Sequence, residues 1–233
     1  MTNAHAPARK IWTEFCNRFE IVKECVPLFE ARDSGQVKSR SVGREGNKRL
    51  VLARSREMDA LIKAEVRKLV GDWESNRLRY DGLLYMMGRK LNGSFVPLYI
   101  GKAETLGKGD GNLSANLQRL DTDCSKFARW GDNYSYHIGD LSACVFPGHS
   151  QTKKSRKYES WAKSLFVEVP TVEPVLTEPV YFWARAWDKS WIGVWPDLGP
   201  TRLAFLEYLL IGVASLVSPE LLNREGLARG QND

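Results

Sequence analysis

Apolar side chains recur at helical spacing twice in the first third of the chain. Trp12, Phe15, Phe19, Ile21, Val22 and Cys25 predict a helix over residues 11–30, and Met58, Leu61, Ile62, Val66 and Leu69 predict a second over 58–73. Residues 33–49, rich in Gly, Ser, Lys and Arg, hold too few apolar side chains for a packed element and read as an exposed basic loop or a solvated linker. From Gly82 the texture changes to short β-like runs, which predict strands over 82–87, 95–100, 134–145, 180–187 and 191–195. Asn112 is placed to cap a helix carrying Leu113, Leu117 and Leu120 on one face, and a last helix begins near Thr201. The expected fold class is α+β: a small antiparallel β-sheet flanked by helices, with an N-terminal helical extension and a β-rich insertion. The expected boundaries are 1–80 for the extension, 81–223 for the core with its insertion at about 130–200, and 224–233 for a fraying tail.

Two hairpins follow from the turn residues. Leu91-Asn92-Gly93 suits a three-residue loop, in which Lys90 faces Ser94 and Tyr85 faces Tyr99 on one side of the sheet. A two-residue Asn92-Gly93 turn would instead pair Leu91 with Ser94 and send the tyrosines to opposite faces. Trp183, Trp187, Trp191 and Trp195 fit a hairpin around Asp188-Lys189-Ser190, with the four indoles on one face as core packing and base stacking as the alternative.

Composition adds direction. Thirty-four Lys and Arg against 28 Asp and Glu give a net charge of +6, which favours a polyanionic partner. The four cysteines form no C-x-x-C pair and no zinc-like spacing, so neither a disulfide framework nor a structural zinc is expected. The first ten residues are polar and the longest apolar stretch is broken by Glu207. Neither a signal peptide nor a membrane span is expected, and a cytoplasmic location is.

Glu207 is the one charged residue between Arg202 and Glu220, in a helix expected to be hydrophobic around nearly its whole circumference. A carboxylate buried there needs a metal ion or an arginine; the alternative is a structural ion pair with an arginine or a carboxylate snorkelling at the helix edge.

Gly82-Leu83-Leu84-Tyr85 followed by Leu98-Tyr99-Ile100-Gly101-Lys102-Ala103 resembles the pair of strand motifs that names the GIY-YIG endonucleases. The first motif departs from the pattern: Gly82 sits three positions before Tyr85, and Leu83 stands where glycine is usual. Glu207, Pro219 and Asn223 resemble the family's closing order of glutamate on a helix, proline, then asparagine. The resemblance spans residues 82–223 and implies a metal-dependent DNA endonuclease of the restriction or defence type. Its catalytic residues would be Tyr85, Tyr99, Glu207, Asn223 and an arginine, Arg119 or Arg129, with Glu207 holding one Mg2+ or Mn2+ ion per active site. Either guanidinium suits phosphate better than lysine does, through paired hydrogen bonds.

In that reading Tyr85 is the favoured proton acceptor and Tyr99 orients water or phosphate. Lys102, His137, Lys153, Lys154, Arg156 and Lys157 are candidate contacts to double-stranded DNA, the last four on a loop. No membrane partner is expected, and a homodimer is one arrangement that cuts both strands. The alternatives are a structure-specific repair nuclease and a non-catalytic DNA-binding module on the same scaffold.

Overall fold

The computed structural model describes residues 5–107, 111–133 and 136–228. Its elements, in chain order, are α1 (Ala6–Arg18), α2 (Ile21–Glu24), β1 (Val26–Pro27), β2 (Ser39–Val42), β3 (Arg49–Leu52), α3 (Arg56–Glu74), β4 (Tyr80–Leu91), β5 (Ser94–Glu104), α4 (His137–Val145), α5 (Arg156–Leu165), β6 (Tyr181–Asp188) and α6 (Leu203–Val217). The fold is α+β, with a small antiparallel sheet of order β1-β6-β4-β5 flanked by helices. Two compact units divide the chain: residues 1–26, 64–114 and 181–233 form the first, residues 27–63 and 115–180 the second.

In the first unit, Asn92 and Gly93 form a two-residue turn with both φ positive, 49° and 74°, which closes the β4–β5 hairpin with Leu91 opposite Ser94. Glycine and asparagine adopt this conformation at small cost. The register then shifts between Met87 and Gly88: Gly88 pairs with Pro97 but Met87 pairs with Tyr99, so Leu98 is an extra residue. Proline is tolerated here because β5 is the sheet edge. The three-residue loop is thus corrected to the two-residue turn, and the bulge reverses the parity that turn imposes. Tyr85 pairs with Gly101, two positions along from the Met87–Tyr99 pair, so both tyrosines lie on one face.

The opposite face, with Leu84, Met86, Ile100, Trp183 and Trp187, packs against Trp12, Phe15 and Phe19 from α1 and its flank and against Leu203, Leu206, Leu210 and Ala214 of α6. Two indole N–H groups are satisfied in this layer: Trp12 donates to the Phe95 carbonyl at 2.9 Å and Trp187 to that of Thr201 at 2.7 Å. The outward N–H of Ala186 in β6 donates to the buried Glu65 carboxylate at 2.8 Å. After Asp188 the chain turns away instead of forming the expected tryptophan hairpin: β6 lies between β1 and β4, and the outer Ala186 N–H is taken by Glu65. Trp183 and Trp187 are core residues, whereas Trp191 and Trp195 are half-buried.

The second unit departs most from the pattern reading. Residues 33–49 contain β2 and lead into β3, and the two strands pair with Ser39 opposite Leu52 and Val42 opposite Arg49. No helix follows Asn112: residues 115–122 form turns, although Leu113, Leu117 and Leu120 are buried as their spacing implied. Residues 137–145, expected as a strand, are α4, while Tyr134 and Ser135 lie outside the described residues. Ser142 ties α4 to the hairpin, accepting from the Leu52 N–H at 2.9 Å and donating to the Ile138 carbonyl.

Gly101 lies directly beneath the Tyr85 ring, where an added Cβ would sit 2.6 Å from the ring. The ring has little room to withdraw, since it stacks on Phe182 and on Tyr99, each at 6.4 Å between centroids. Gly101→Ala is expected to destabilise the protein by about 1–3 kcal/mol through overpacking. An unchanged urea midpoint would show that the ring yields freely.

Candidate active site

Tyr85 and Tyr99 come together as expected, their rings inclined by 30°. Their exposures differ: Tyr85 is 2% exposed, sealed between Phe182 and Tyr99, while Tyr99 is half-buried. Of the two phenols, Tyr99 is therefore the one that meets solvent.

Asn223 joins this site through the backbone. Its Nδ2 donates to the Ile100 carbonyl at 2.8 Å and its Oδ1 accepts from the Ile100 N–H at 3.0 Å, so one buried carboxamide continues the sheet beyond its edge strand. The Leu222 N–H donates to Leu98, the bulge residue, at 2.7 Å. Asn223 is thus a positioning residue for the strand that carries Tyr99. Sequence order alone had made it a member of the site; the bond to Ile100 supplies the physical reason.

Helix α6 begins where Asp81 of β4 accepts from the Leu203 N–H at 3.1 Å and pairs with Arg202 at 2.6 Å. A carboxylate at a helix start satisfies an orphan N–H and meets the positive end of the helix dipole. Helix α6 is not buried all round, which corrects the expectation. Phe205 and Tyr208 are 53% and 52% exposed, and Glu207 is half-buried on the flank between the core side and this open side. The core side of α6 packs on the sheet face opposite the one that carries the two phenols. Lys102 pairs with Leu84 across the strands, on that same opposite face, and forms an ion pair with Glu104.

The remaining candidates belong to the second unit. Arg119 and Arg129 are both exposed, at left-handed positions with φ of 54° and 73°. Arg129 ends a run of three positive φ values that starts at Phe127, a strained backbone for non-glycine residues. Arg119 is on a turn and not on the expected helix.

His137 is not at the surface. It is 2% exposed at the start of α4, with Nδ1 2.7 Å from the Tyr158 hydroxyl and its ring among Trp130, Trp161 and Tyr158. Burial, with the charges of Lys157 and Arg129, holds its pKa well below the usual histidine value, so it is neutral and has no surface for a DNA contact. The basic run is not a loop throughout. Lys153 ends a 3-10 turn, Lys154 follows it, and Arg156 and Lys157 open α5, with the Lys157 ammonium 5.1 Å from the Trp161 ring centroid.

Sequence reasoning missed Asp140, one turn beyond His137 on α4. Burial pushes its carboxyl up to about 7, against the opposing pull of Lys157 and Lys153. No sequence signal marks it, because the run around it reads as a strand.

Among the described residues no three His, Cys, Asp or Glu side chains gather as a metal cluster, and no helix is long and apolar enough to cross a membrane. No family model, curated protein or solved structure matches this chain.

Asp140 generates a pH prediction. An unfolded Asp titrates near about 4, so the folded state holds this proton more tightly; the stability that results is complete below about pH 4 and is lost as pH rises through about 7. Asp140→Asn is therefore expected to raise the melting temperature at about pH 8, with the gain shrinking on acidification and vanishing near about pH 4. Thermal melts across that range check it, and a pH-independent difference would contradict the assignment.

Proposed function

We propose that this chain is a metal-dependent DNA endonuclease that hydrolyses phosphodiester bonds in double-stranded DNA. The observation that carries the reading is convergence on β5. Tyr99 stacks on Tyr85 on one face of the sheet, Asn223 bonds both backbone groups of Ile100 at its edge, and α6 packs on the opposite face of the same strand. Residues far apart in sequence and ordered as in the GIY-YIG endonucleases are thus gathered in one unit.

The donor chemistry at Glu207 fits one Mg2+ or Mn2+. With no acidic cluster around it among the described residues, it would be the one protein carboxylate, and water and phosphate oxygens would complete a hard oxygen shell. When bound, such an ion neutralises phosphoryl charge and stabilises the departing 3'-oxygen. Tyr99, the more accessible phenol, would accept the proton of the attacking water as a phenolate, having first given its own proton to solvent. Tyr85, seated over Gly101, stacks on its ring, and Asn223 fixes its strand.

We take the biological role to be sequence-specific restriction or defence, in the cytoplasm, with structure-specific repair as the alternative. A non-catalytic DNA-binding module is a second reading, favoured by the closure of Tyr85, which leaves one phenol open where the pattern names two.

Incubating the purified protein with plasmid and phage DNA, with and without Mg2+, tests the proposal. Cleavage that requires Mg2+ is expected, and Glu207→Ala and Tyr99→Phe should each lower its rate at least about 100-fold while the protein stays folded. Discrete fragments support restriction and nicking of branched DNA supports repair. Binding without cleavage supports the module, and full activity in either variant overturns the assigned roles.

A further inference from the structure

Beside the C-terminal end of α1, within the first unit, lies a groove of about 450 Å³ lined by Arg18, Phe19, Ser190, Trp191, Ile192 and Pro196. Trp191 forms its aromatic wall. The indole is held edge-on by Trp187 at 5.3 Å and tilted against Phe19 at 5.6 Å, yet it remains half-exposed, unlike the sealed Trp183 and Trp187.

Arg18 closes the groove. Its Nη1 donates to the carbonyls of Ile192 at 3.2 Å and Gly193 at 2.9 Å, which anchors the guanidinium through one nitrogen. Among the described residues no carboxylate pairs with it, and its Nε–H and Nη2–H edge has no protein acceptor. That edge is the one that grips a phosphate with two parallel hydrogen bonds. An anchored guanidinium with its phosphate-binding edge open, beside a half-open indole, matches the two halves of a nucleotide.

We infer that this groove binds an unstacked nucleotide of single-stranded DNA, the base stacked on Trp191 and its phosphate on the free edge of Arg18. Stacking on an indole requires an accessible base face, which a paired duplex does not offer. The net charge of +6 favours a polyanion over an aromatic peptide. The inference rests on DNA being the partner, as proposed above, and not on cleavage.

The test is the anisotropy of a fluorescein-labelled single-stranded oligonucleotide and of its duplex, at fixed salt, with the wild type, Trp191→Leu and Arg18→Lys. Arg18→Lys keeps the charge and removes the paired donors; Trp191→Leu keeps apolar bulk and removes the stacking face. Each variant should bind the single strand about tenfold more weakly, with duplex binding changed by less than about twofold. Thermal melting verifies the fold, and if Trp191→Leu melts early the exposed Arg18 variant decides alone. Unchanged single-strand affinity beside intact duplex binding overturns this inference and leaves the endonuclease reading standing. A wild type that binds neither DNA overturns both.

Discussion

One extra residue, Leu98, decides which side of the sheet each later side chain of β5 occupies. The two-residue turn alone would put Tyr85 and Tyr99 on opposite faces, and the bulge restores them to one face. The bulge is itself held from outside: Leu222 donates to Leu98, and Asn223 donates to and accepts from Ile100. The segment after α6 therefore covers the edge of β5 beside the bulge, where an unpaired edge would invite another strand. The stacked phenols, the glycine beneath Tyr85 and the asparagine pattern are one arrangement, because each depends on the register of β5.

Legibility followed the strength of the local signal. The α3 helix and the β4–β5 hairpin were visible, since a long 3.6-residue period and an Asn-Gly turn leave few competing structures. The bulge was not, because an inserted residue in an apolar run leaves no mark on composition. In the second unit the reading failed for separable reasons. The alternation from Tyr134 to Ile138 imitates a strand, yet residues 137–145 are helical and buried as α4. Leu113, Leu117 and Leu120 keep helical spacing and are buried, but the backbone reaches that burial through turns, with Arg119 left-handed. The β2–β3 hairpin hides in a basic stretch because β2 alternates exposed Ser39 and Ser41 with partly buried Arg40 and Val42.

The candidate site was legible as a set of residue types and less so as a set of exposures. The oily sequence around Glu207 suggested a helix enclosed on all sides, whereas α6 leaves Phe205 and Tyr208 open and sets the carboxylate on the boundary. A carboxylate on such a flank keeps contact with water, which lowers the cost of its charge relative to full burial. The same test of exposure separates the two phenols and removes His137 from the surface. Burial cannot be read from residue type for amphipathic side chains such as Tyr and His, so their roles follow from neighbours distant in sequence.

Electrostatics then limits what the first unit can offer a phosphate. Among its cations already matched by carboxylates are Arg79 by Asp188, Arg89 by Glu220, Lys102 by Glu104, Arg185 by Glu24 and Arg202 by Asp81. Each of these pairs would have to give up a hydrogen bond before its cation could serve a ligand, so these side chains act first as ties within the unit. Arg18 differs because carbonyl dipoles, not a carboxylate, hold it, and its charge remains uncancelled. Positive charge for a phosphate at the phenol face thus has to come from outside these five ties.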